Sequence, residues 1–95
     1  MDKVFEIIDK TGRKIYLSRE RWKHITTEHS KVTIEHIEKT IVNPQKIIPH
    51  KDPVINDYYS YFKNRKERSK YLKTVVKYLN GNGFIITAYF IRHMR

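Results

Sequence analysis

The 95-residue sequence contains no cysteine, which excludes disulfide bridges, thiol catalysis and zinc sites built on cysteine. It also lacks any apolar run close to the ~18 residues that a membrane-spanning helix needs. The first ten residues, MDKVFEIIDK, mix charges of both signs and have no apolar core of the kind found in a secretory signal peptide. We therefore expect one domain over residues 1–95, cytoplasmic and without a membrane partner.

Acidic residues are scarce relative to basic ones. Ten Asp and Glu stand against twenty Lys and Arg, for a net charge of +10. A surplus of positive charge of this size attracts polyanions, and nucleic acid is the commonest polyanion in a cytoplasm. The alternative is that the lysines only keep a small domain soluble. The charge thus predicts RNA or another nucleic acid as partner, and it indicates nothing about chemistry.

The first half of the chain reads as a hairpin followed by two helices. Val4–Asp9 alternates in hydrophobicity, a glycine-containing turn follows, and Ile15–Leu17 forms the second strand. Ser18 is placed to cap a helix over Arg19–His29. Thr33 is placed to cap a second helix, IEHIEKTIVN, which Pro44 ends.

The second half reads as extended chain. The predicted strands lie within QKIIPH, VINDYYSYFK, KYLKTVVKYL and FIITAYFI, and NGNG is a tight-turn signal between the last two. We expect an α+β fold in which two N-terminal helices pack on a roughly four-stranded antiparallel sheet, preceded by a short β-hairpin.

Alternation assigns the side chains of the last two strands to faces of the sheet. Phe84, Ile86, Ala88 and Phe90 form a wholly apolar set, which we expect against the helices. Thr87 and Tyr89 then belong to the opposite, open face. The lysines of KYLKTVVKYL, Lys73 and Lys77, belong there too because a lysine set is not readily buried. Threonine and tyrosine are also ordinary strand residues, so this placement alone does not indicate a site.

The five histidines form no metal-binding pattern. There is no HExxH motif, and His24 and His29 diverge by about 140° around a helix. We expect no metal and no cofactor. His29 continues the core-facing stripe to the end of its helix. His36 lies opposite the apolar stripe of the second helix, and we expect it to be solvated. His50 falls in a loop and carries no signal.

Three segments resemble a phage-associated group of the barnase–EndoU–colicin–RelE-like (BECR) nuclease superfamily. They are RWKHITTEHS, NPQKII and TVVKYLNGNGFIITAY, within residues 16–89. The matching positions are Arg21, Trp22, His24, Ile25, His29, Asn43, Pro44, Lys77, Thr87, Ala88 and Tyr89. Ser30 departs from the pattern, which has proline there. The resemblance implies helices on a four-stranded antiparallel sheet and metal-independent RNA cleavage by a toxin-like endoribonuclease. It also implies an acidic antitoxin or immunity protein as partner.

Metal-free cleavage requires a base for the ribose 2′-OH, an acid for the leaving 5′ oxygen and cations around the charged phosphorane. With the resemblance in view, His29 or His24 is the candidate acid–base group, Lys77 the candidate for phosphorane stabilisation and Thr87 for positioning the phosphate. Tyr89 is a hydrogen-bond donor or a second proton-transfer group. The candidate RNA-binding residues are Arg21, Lys73, Arg92, Tyr59 and Tyr61.

Two other readings use the same residues. A non-catalytic nucleic-acid-binding module would use the basic, tyrosine-rich face, and a small adaptor would bind an acidic protein. The nuclease hypothesis requires His29 to lie close to Thr87 and Tyr89. Because His29 shares a stripe with core residues while Thr87 and Tyr89 face the other way, they can meet only at an edge or end of the sheet.

Overall fold

The computed structural model describes residues 2–94. Within them the chain forms two helices and six strands. In chain order these are β1 (Lys3–Ile8), β2 (Lys14–Ser18), α1 (Arg19–Glu28), α2 (Ile34–Val42), β3 (Lys46–Pro49), β4 (Ile55–Tyr61), β5 (Tyr71–Leu79) and β6 (Asn82–Ile91). The strands make a single mixed sheet in the order β1-β2-β6-β5-β4-β3.

Both helices begin where the sequence predicts. The Ser18 hydroxyl accepts a hydrogen bond from the backbone N–H of Arg21 at 3.1 Å, which satisfies one free donor of the first turn of α1. Thr33 does the same for α2, and the ring of His36 accepts from the Thr33 N–H in return, so that α2 begins with a reciprocal capping box.

The expected arrangement of a separate hairpin, then two N-terminal helices on a four-stranded antiparallel sheet, is wrong. The hairpin belongs to the sheet, because β2 pairs in parallel with the start of β6 through Lys14–Tyr16 and Asn82–Phe84. The helices therefore lie in the chain between two groups of strands of one six-stranded mixed sheet. This pairing joins segments far apart in sequence and leaves no local signal.

The helices pack on one face of the sheet and form the core there. Ile25 of α1 and Ile37 and Ile41 of α2 are fully buried. They join buried side chains from β2, β4, β5 and β6, which are Ile15, Leu17, Tyr58, Leu72, Val76, Ile85 and Ala88. The other face carries no helix within the described residues, and we call it the open face.

The predicted alternation of the last strand is only half right. A β-bulge shifts the register between Val75 and Val76, so that Ile85 and Ala88, not Ile86 and Ala88, both point into the core. Ala88 and Phe90 are on the core side as predicted. Phe84 lies instead on the open face, opposite Lys77 and stacked on Tyr16 at 5.9 Å. Thr87 and Tyr89 keep their predicted place on the open face, because they follow the bulge.

The turn between β1 and β2 is fastened to the core by a buried carboxylate. Asp9 is 5% exposed, and its Oδ1 accepts hydrogen bonds from the backbone N–H of Thr11 and of Arg13. Its Oδ2 accepts from the hydroxyl of Tyr58, which also hydrogen-bonds the hydroxyl of Tyr78 at 2.7 Å. This network ties the first hairpin to β4 and β5.

Candidate functional site

His29 and Tyr89 meet at an edge of the sheet. Within the described residues β2 pairs with β6 only as far as Phe84, so the later part of β6 has no strand on that side. α1 packs on β6, and His29 caps the C-terminus of this helix with a backbone N–H that donates to Ile25 O at 2.6 Å. The half-buried imidazole lies with its centroid 5.3 Å from that of the Tyr89 ring. The geometric condition for a joint site is thus met at the edge.

Lys73 is the lysine next to Tyr89. It is the direct cross-strand partner of Tyr89 on β5, and its ammonium lies 5.7 Å from the centroid of the Tyr89 ring. On its other side the ammonium lies 3.5 Å from Oδ2 of Asp57 on β4. The three strands β6, β5 and β4 therefore present a phenol, a cation and a carboxylate side by side on the open face.

Burial by itself lowers the pKa of Lys73, but the carboxylate of Asp57 and the hydroxyl of Tyr89 outweigh it. The net effect is a Lys73 pKa above its ordinary value. Lys73 is therefore a fixed cation at neutral pH. It can stabilise developing negative charge, and it is unsuited to act as a base.

Asp57 also binds His50. The Nε2 atom of His50 lies 2.8 Å from Asp57 Oδ1, and the His50 side chain is 40% exposed. His50 follows β3, which pairs with β4 in antiparallel register, and this register brings two residues seven positions apart into contact. We define the open-face cluster as His29, Tyr89, Lys73, Asp57 and His50, which form one continuous series of contacts across the sheet.

Tyr59 lies beside the cluster but is not available for stacking. It is 1% exposed, and its hydroxyl donates to Asp57 Oδ2 at 3.5 Å. Burial and the charge of Asp57 raise its pKa, so the phenol stays protonated. A base could not stack on this ring in the structure described, and Tyr59 instead supports Asp57.

Lys77 and Thr87 lie further along the same face. Lys77 is opposite Phe84, four positions along β5 from Lys73, which corresponds to about 13 Å. Thr87 precedes Tyr89 by two positions and pairs with Val75 between the two lysines. The structure thus brings Thr87 near Tyr89 and leaves Lys77 outside the open-face cluster.

Arg21 belongs with the Lys77 end of the face. It lines a surface cleft of about 370 Å³ together with Asp2, Tyr16, Ser18, Glu20 and Phe84. This cleft lies where α1 begins beside β6. Arg21 thus lies apart from Tyr89 and the open-face cluster.

His24 is placed away from the cluster. It is exposed on α1, beside Glu28, with Nε2 3.7 Å from the Glu28 carboxylate.

Arg92 is exposed just beyond the end of β6. Tyr61 is 48% exposed and its ring lies 5.0 Å from that of Tyr71, its cross-strand partner on the open face.

His36 is not solvated as expected from its helix position. It is half-buried, with its ring in edge contact with Phe62 at 4.9 Å and Phe90 at 5.0 Å. Burial, and then the charge of Arg65, lower its pKa. These contacts give His36 a structural role in holding α2 to the sheet.

Neither metal ligands nor a membrane span is found among residues 2–94. No three His, Asp or Glu side chains there converge as a metal site requires. No helix in the same range is long and apolar enough to cross a membrane. Comparison of the chain with models of protein families, with curated proteins and with solved structures finds no match.

Proposed function

We propose that the protein is a metal-independent endoribonuclease that cleaves single phosphodiester bonds in RNA by attack of the ribose 2′-OH. One observation carries the proposal, namely the contact of His29 with Tyr89 beside the cation of Lys73. A histidine, a phenol donor and a fixed cation on rigid elements are the groups that such a reaction uses. The surplus of basic residues, +10 in 95 residues, supports a phosphate-rich substrate.

In the proposed reaction the scissile phosphate binds at Lys73 and Tyr89. His29 takes the proton of the 2′-OH, the 2′ oxygen attacks phosphorus, and the bond to the 5′ oxygen breaks as that oxygen takes a proton from water. The products are a 2′,3′-cyclic phosphate and a 5′-OH end. Lys73 stabilises the charge on the phosphorane, and the hydroxyl of Tyr89 donates a hydrogen bond to a phosphate oxygen. Thr87 positions the neighbouring part of the backbone.

Lys77 does not stabilise the phosphorane, as the sequence led us to expect, and instead acts with Arg21 in binding the substrate. Because they lie at the far end of the open face, they bind the RNA backbone outside the cleaved linkage. His24 takes no part in proton transfer, since it lies on the exposed side of α1 beside Glu28.

A second candidate is a nucleic-acid-binding module without catalytic activity. The exposed ring of Tyr61 beside Tyr71 favours it, because exposed aromatic rings on a sheet stack unpaired bases. Both candidates predict RNA binding that weakens with salt, so affinity does not separate them.

Turnover separates the two candidates. The purified protein is incubated with mixed RNA in EDTA between pH 5 and pH 9, and the product ends are analysed. Cleavage that leaves 2′,3′-cyclic phosphate ends supports the nuclease. Binding without cleavage at any of these pH values supports the binding module.

We further infer that the nuclease acts in the cytoplasm as a toxin of the superfamily that the sequence resembles. An acidic antitoxin or immunity protein would bind its basic surface. A small acidic reading frame beside its gene, whose product binds the protein and blocks RNA cleavage, is the corresponding test.

A further inference from the structure

The reaction proposed above gives no role to a cleft that His29 lines at the end of α1. The cleft has a volume of about 240 Å³, and Val32, Arg65 and Phe90 also line it. This volume lies below the ~300–1,000 Å³ of pockets that enclose a whole drug-sized ligand. The cleft therefore suits one small group of a larger molecule.

Arg65 presents a fixed planar cation in this cleft. Its guanidinium carbon lies over the Phe90 ring, 3.5 Å from the ring centroid. Its Nε donates to Ser69 O at 2.9 Å, its Nη2 lies 3.4 Å from the Glu67 carboxylate, and the side chain is only 12% exposed. Two of its three nitrogens thus have protein partners and one face of its plane is covered, which leaves the opposite face for a ligand.

The chemistry of the cleft favours a nucleobase over a phosphate. A guanidinium plane stacks with the face of an unpaired base. A phosphate would instead bind the N–H edge of the guanidinium, and Glu67 already contacts that edge. Glu28 and Lys31, which also line the cleft, carry opposite charges and so add no net charge to attract a phosphate.

The position of the cleft selects one base of the RNA. Phe90 directly follows Tyr89 in β6, and the ring of His29 lies 5.3 Å from that of Tyr89. In the proposed reaction His29 lies within hydrogen-bond reach of the attacking 2′-OH, ~2.6–3.2 Å between heavy atoms. The base of the same nucleotide is attached to the neighbouring carbon of that ribose. The nucleotide that supplies the 2′-OH can thus place its base in the cleft that His29 lines.

We propose that this cleft binds the base of the nucleotide whose 2′-OH attacks, with the base stacked on the guanidinium of Arg65. Arg65 is then a substrate-binding residue, which holds the ribose against His29 and takes no part in proton transfer. Phe90 and Ser69 keep the guanidinium in place. This assignment rests on the proposed ribonuclease function.

A purely structural Arg65 would also lie on Phe90 and fasten the loop between β4 and β5. The two roles differ in their dependence on the base. A residue that stacks on a base matters for a substrate that carries this base and matters little for a substrate that lacks it. A structural residue affects both substrates equally.

The test uses three RNA oligomers. The linkage that the wild-type protein cleaves is first mapped in an intact oligomer. The second oligomer lacks the base of the nucleotide on the 5′ side of that linkage but keeps its ribose and 2′-OH, and the third lacks the base on the 3′ side. The variants are Arg65→Gln and, as a control in the same loop, Arg68→Gln, since Arg68 is exposed and does not line the cleft. Thermal melting of each variant verifies that it is folded.

For the wild type, loss of the 5′ base should lower kcat/KM by about 5- to 150-fold, the range for one stacked base, and loss of the 3′ base by less than about threefold. Arg65→Gln should lose a similar factor on the intact oligomer and little on the oligomer without the 5′ base. Arg68→Gln should keep the wild-type ratios between the three oligomers.

Equal losses of folded Arg65→Gln on the intact oligomer and on the oligomer without the 5′ base would overturn the assignment. A wild type that cleaves these two oligomers equally well would also overturn it, and this comparison decides the matter if Arg65→Gln does not fold. Both results leave the nuclease function intact, because cleavage is still observed. Absence of wild-type cleavage of the RNA would refute the proposed function and the assignment together.

Discussion

The ring of His29 lies 5.3 Å from the ring of Tyr89, although the helix that ends at His29 packs on one face of the sheet and Tyr89 projects from the other. The contact is possible because β2 pairs only with the first part of β6 within the described residues, which leaves the later edge open to α1. The short parallel pairing at one end of β6 therefore permits the contact of His29 with Tyr89 at the other end.

Lys73 and Lys77 offer a matched pair on one strand. Lys73→Gln should lower kcat for RNA cleavage by about 10²–10³-fold, because it removes the cation from the phosphorane. Lys77→Gln should lower kcat by less than tenfold and act mainly on KM, because Lys77 lies about 13 Å along β5 from Lys73. Steady-state kinetics on one RNA oligomer measure both. A larger loss of kcat from Lys77→Gln than from Lys73→Gln would indicate that Lys77, and not Lys73, stabilises the phosphorane.

Tyr58→Phe should destabilise the fold. The change removes the hydroxyl that donates to the buried Asp9 carboxylate and leaves that oxygen without its partner. A buried polar group left unsatisfied costs about 1–3 kcal/mol, which urea denaturation can measure as a lower free energy of unfolding. Tyr61→Phe is the control, since this tyrosine is exposed, and it should change the free energy by less than about 0.5 kcal/mol. Equal effects of the two changes would contradict the role of the Asp9 network.

Thr74→Val should stabilise the protein. Thr74 is fully buried opposite Tyr58, and its hydroxyl has no hydrogen-bond partner among the described residues. Valine has nearly the same shape without the unpaired hydroxyl, so we expect a gain of roughly 1 kcal/mol in the free energy of unfolding. Thr40→Val is the contrast, because the buried Thr40 hydroxyl donates to His36 O at 2.8 Å and its loss should not stabilise. A destabilised Thr74→Val variant would show that this hydroxyl is satisfied in solution.

His36 should make stability depend on pH. Burial and the charge of Arg65 lower its pKa in the folded state, so the unfolded chain binds more protons as pH falls below about 6.5. Its contribution is complete above that pH and is lost as pH falls through the lower folded-state value. His36→Gln keeps a residue suited to the capping box but does not titrate. Denaturation between pH 5 and pH 7.5 should show a smaller acid-side decline for this variant than for the wild type. Parallel curves would exclude His36 as a source of the decline.

The starts of the helices and part of the strand alternation could be predicted because their signals are local. Ser18 and Thr33 cap the helices as their sequence positions indicate, and Thr87 and Tyr89 lie on the open face as alternation predicts. The parallel pairing of β2 with β6 and the bulge beside Val76 could not be predicted, since both depend on contacts between distant segments. Because the bulge adds one residue to β6, the alternation reverses on its N-terminal side. Ile85 therefore lies in the core, where the sequence predicts Phe84.

The candidate site divides in the same way. His29 and Tyr89 were identifiable from helix position and strand alternation, together with the family resemblance. The nearer lysine was not, because the choice between Lys73 and Lys77 depends on strand register. His50 carried no signal in its loop. Only the antiparallel register of β3 with β4 brings it to Asp57, so a correct prediction of that hairpin is the signal that could have found it.

The central claim is that His29, and not His24, is the base of a metal-independent ribonuclease. The most direct measurement compares kcat/KM of the wild type, His29→Ala and His24→Ala on one RNA oligomer in EDTA, with each variant shown to be folded. We predict a loss of ~10²–10⁴-fold for His29→Ala and near wild-type activity for His24→Ala. Cleavage by His29→Ala at the wild-type rate, or a selective loss in His24→Ala, would contradict the claim.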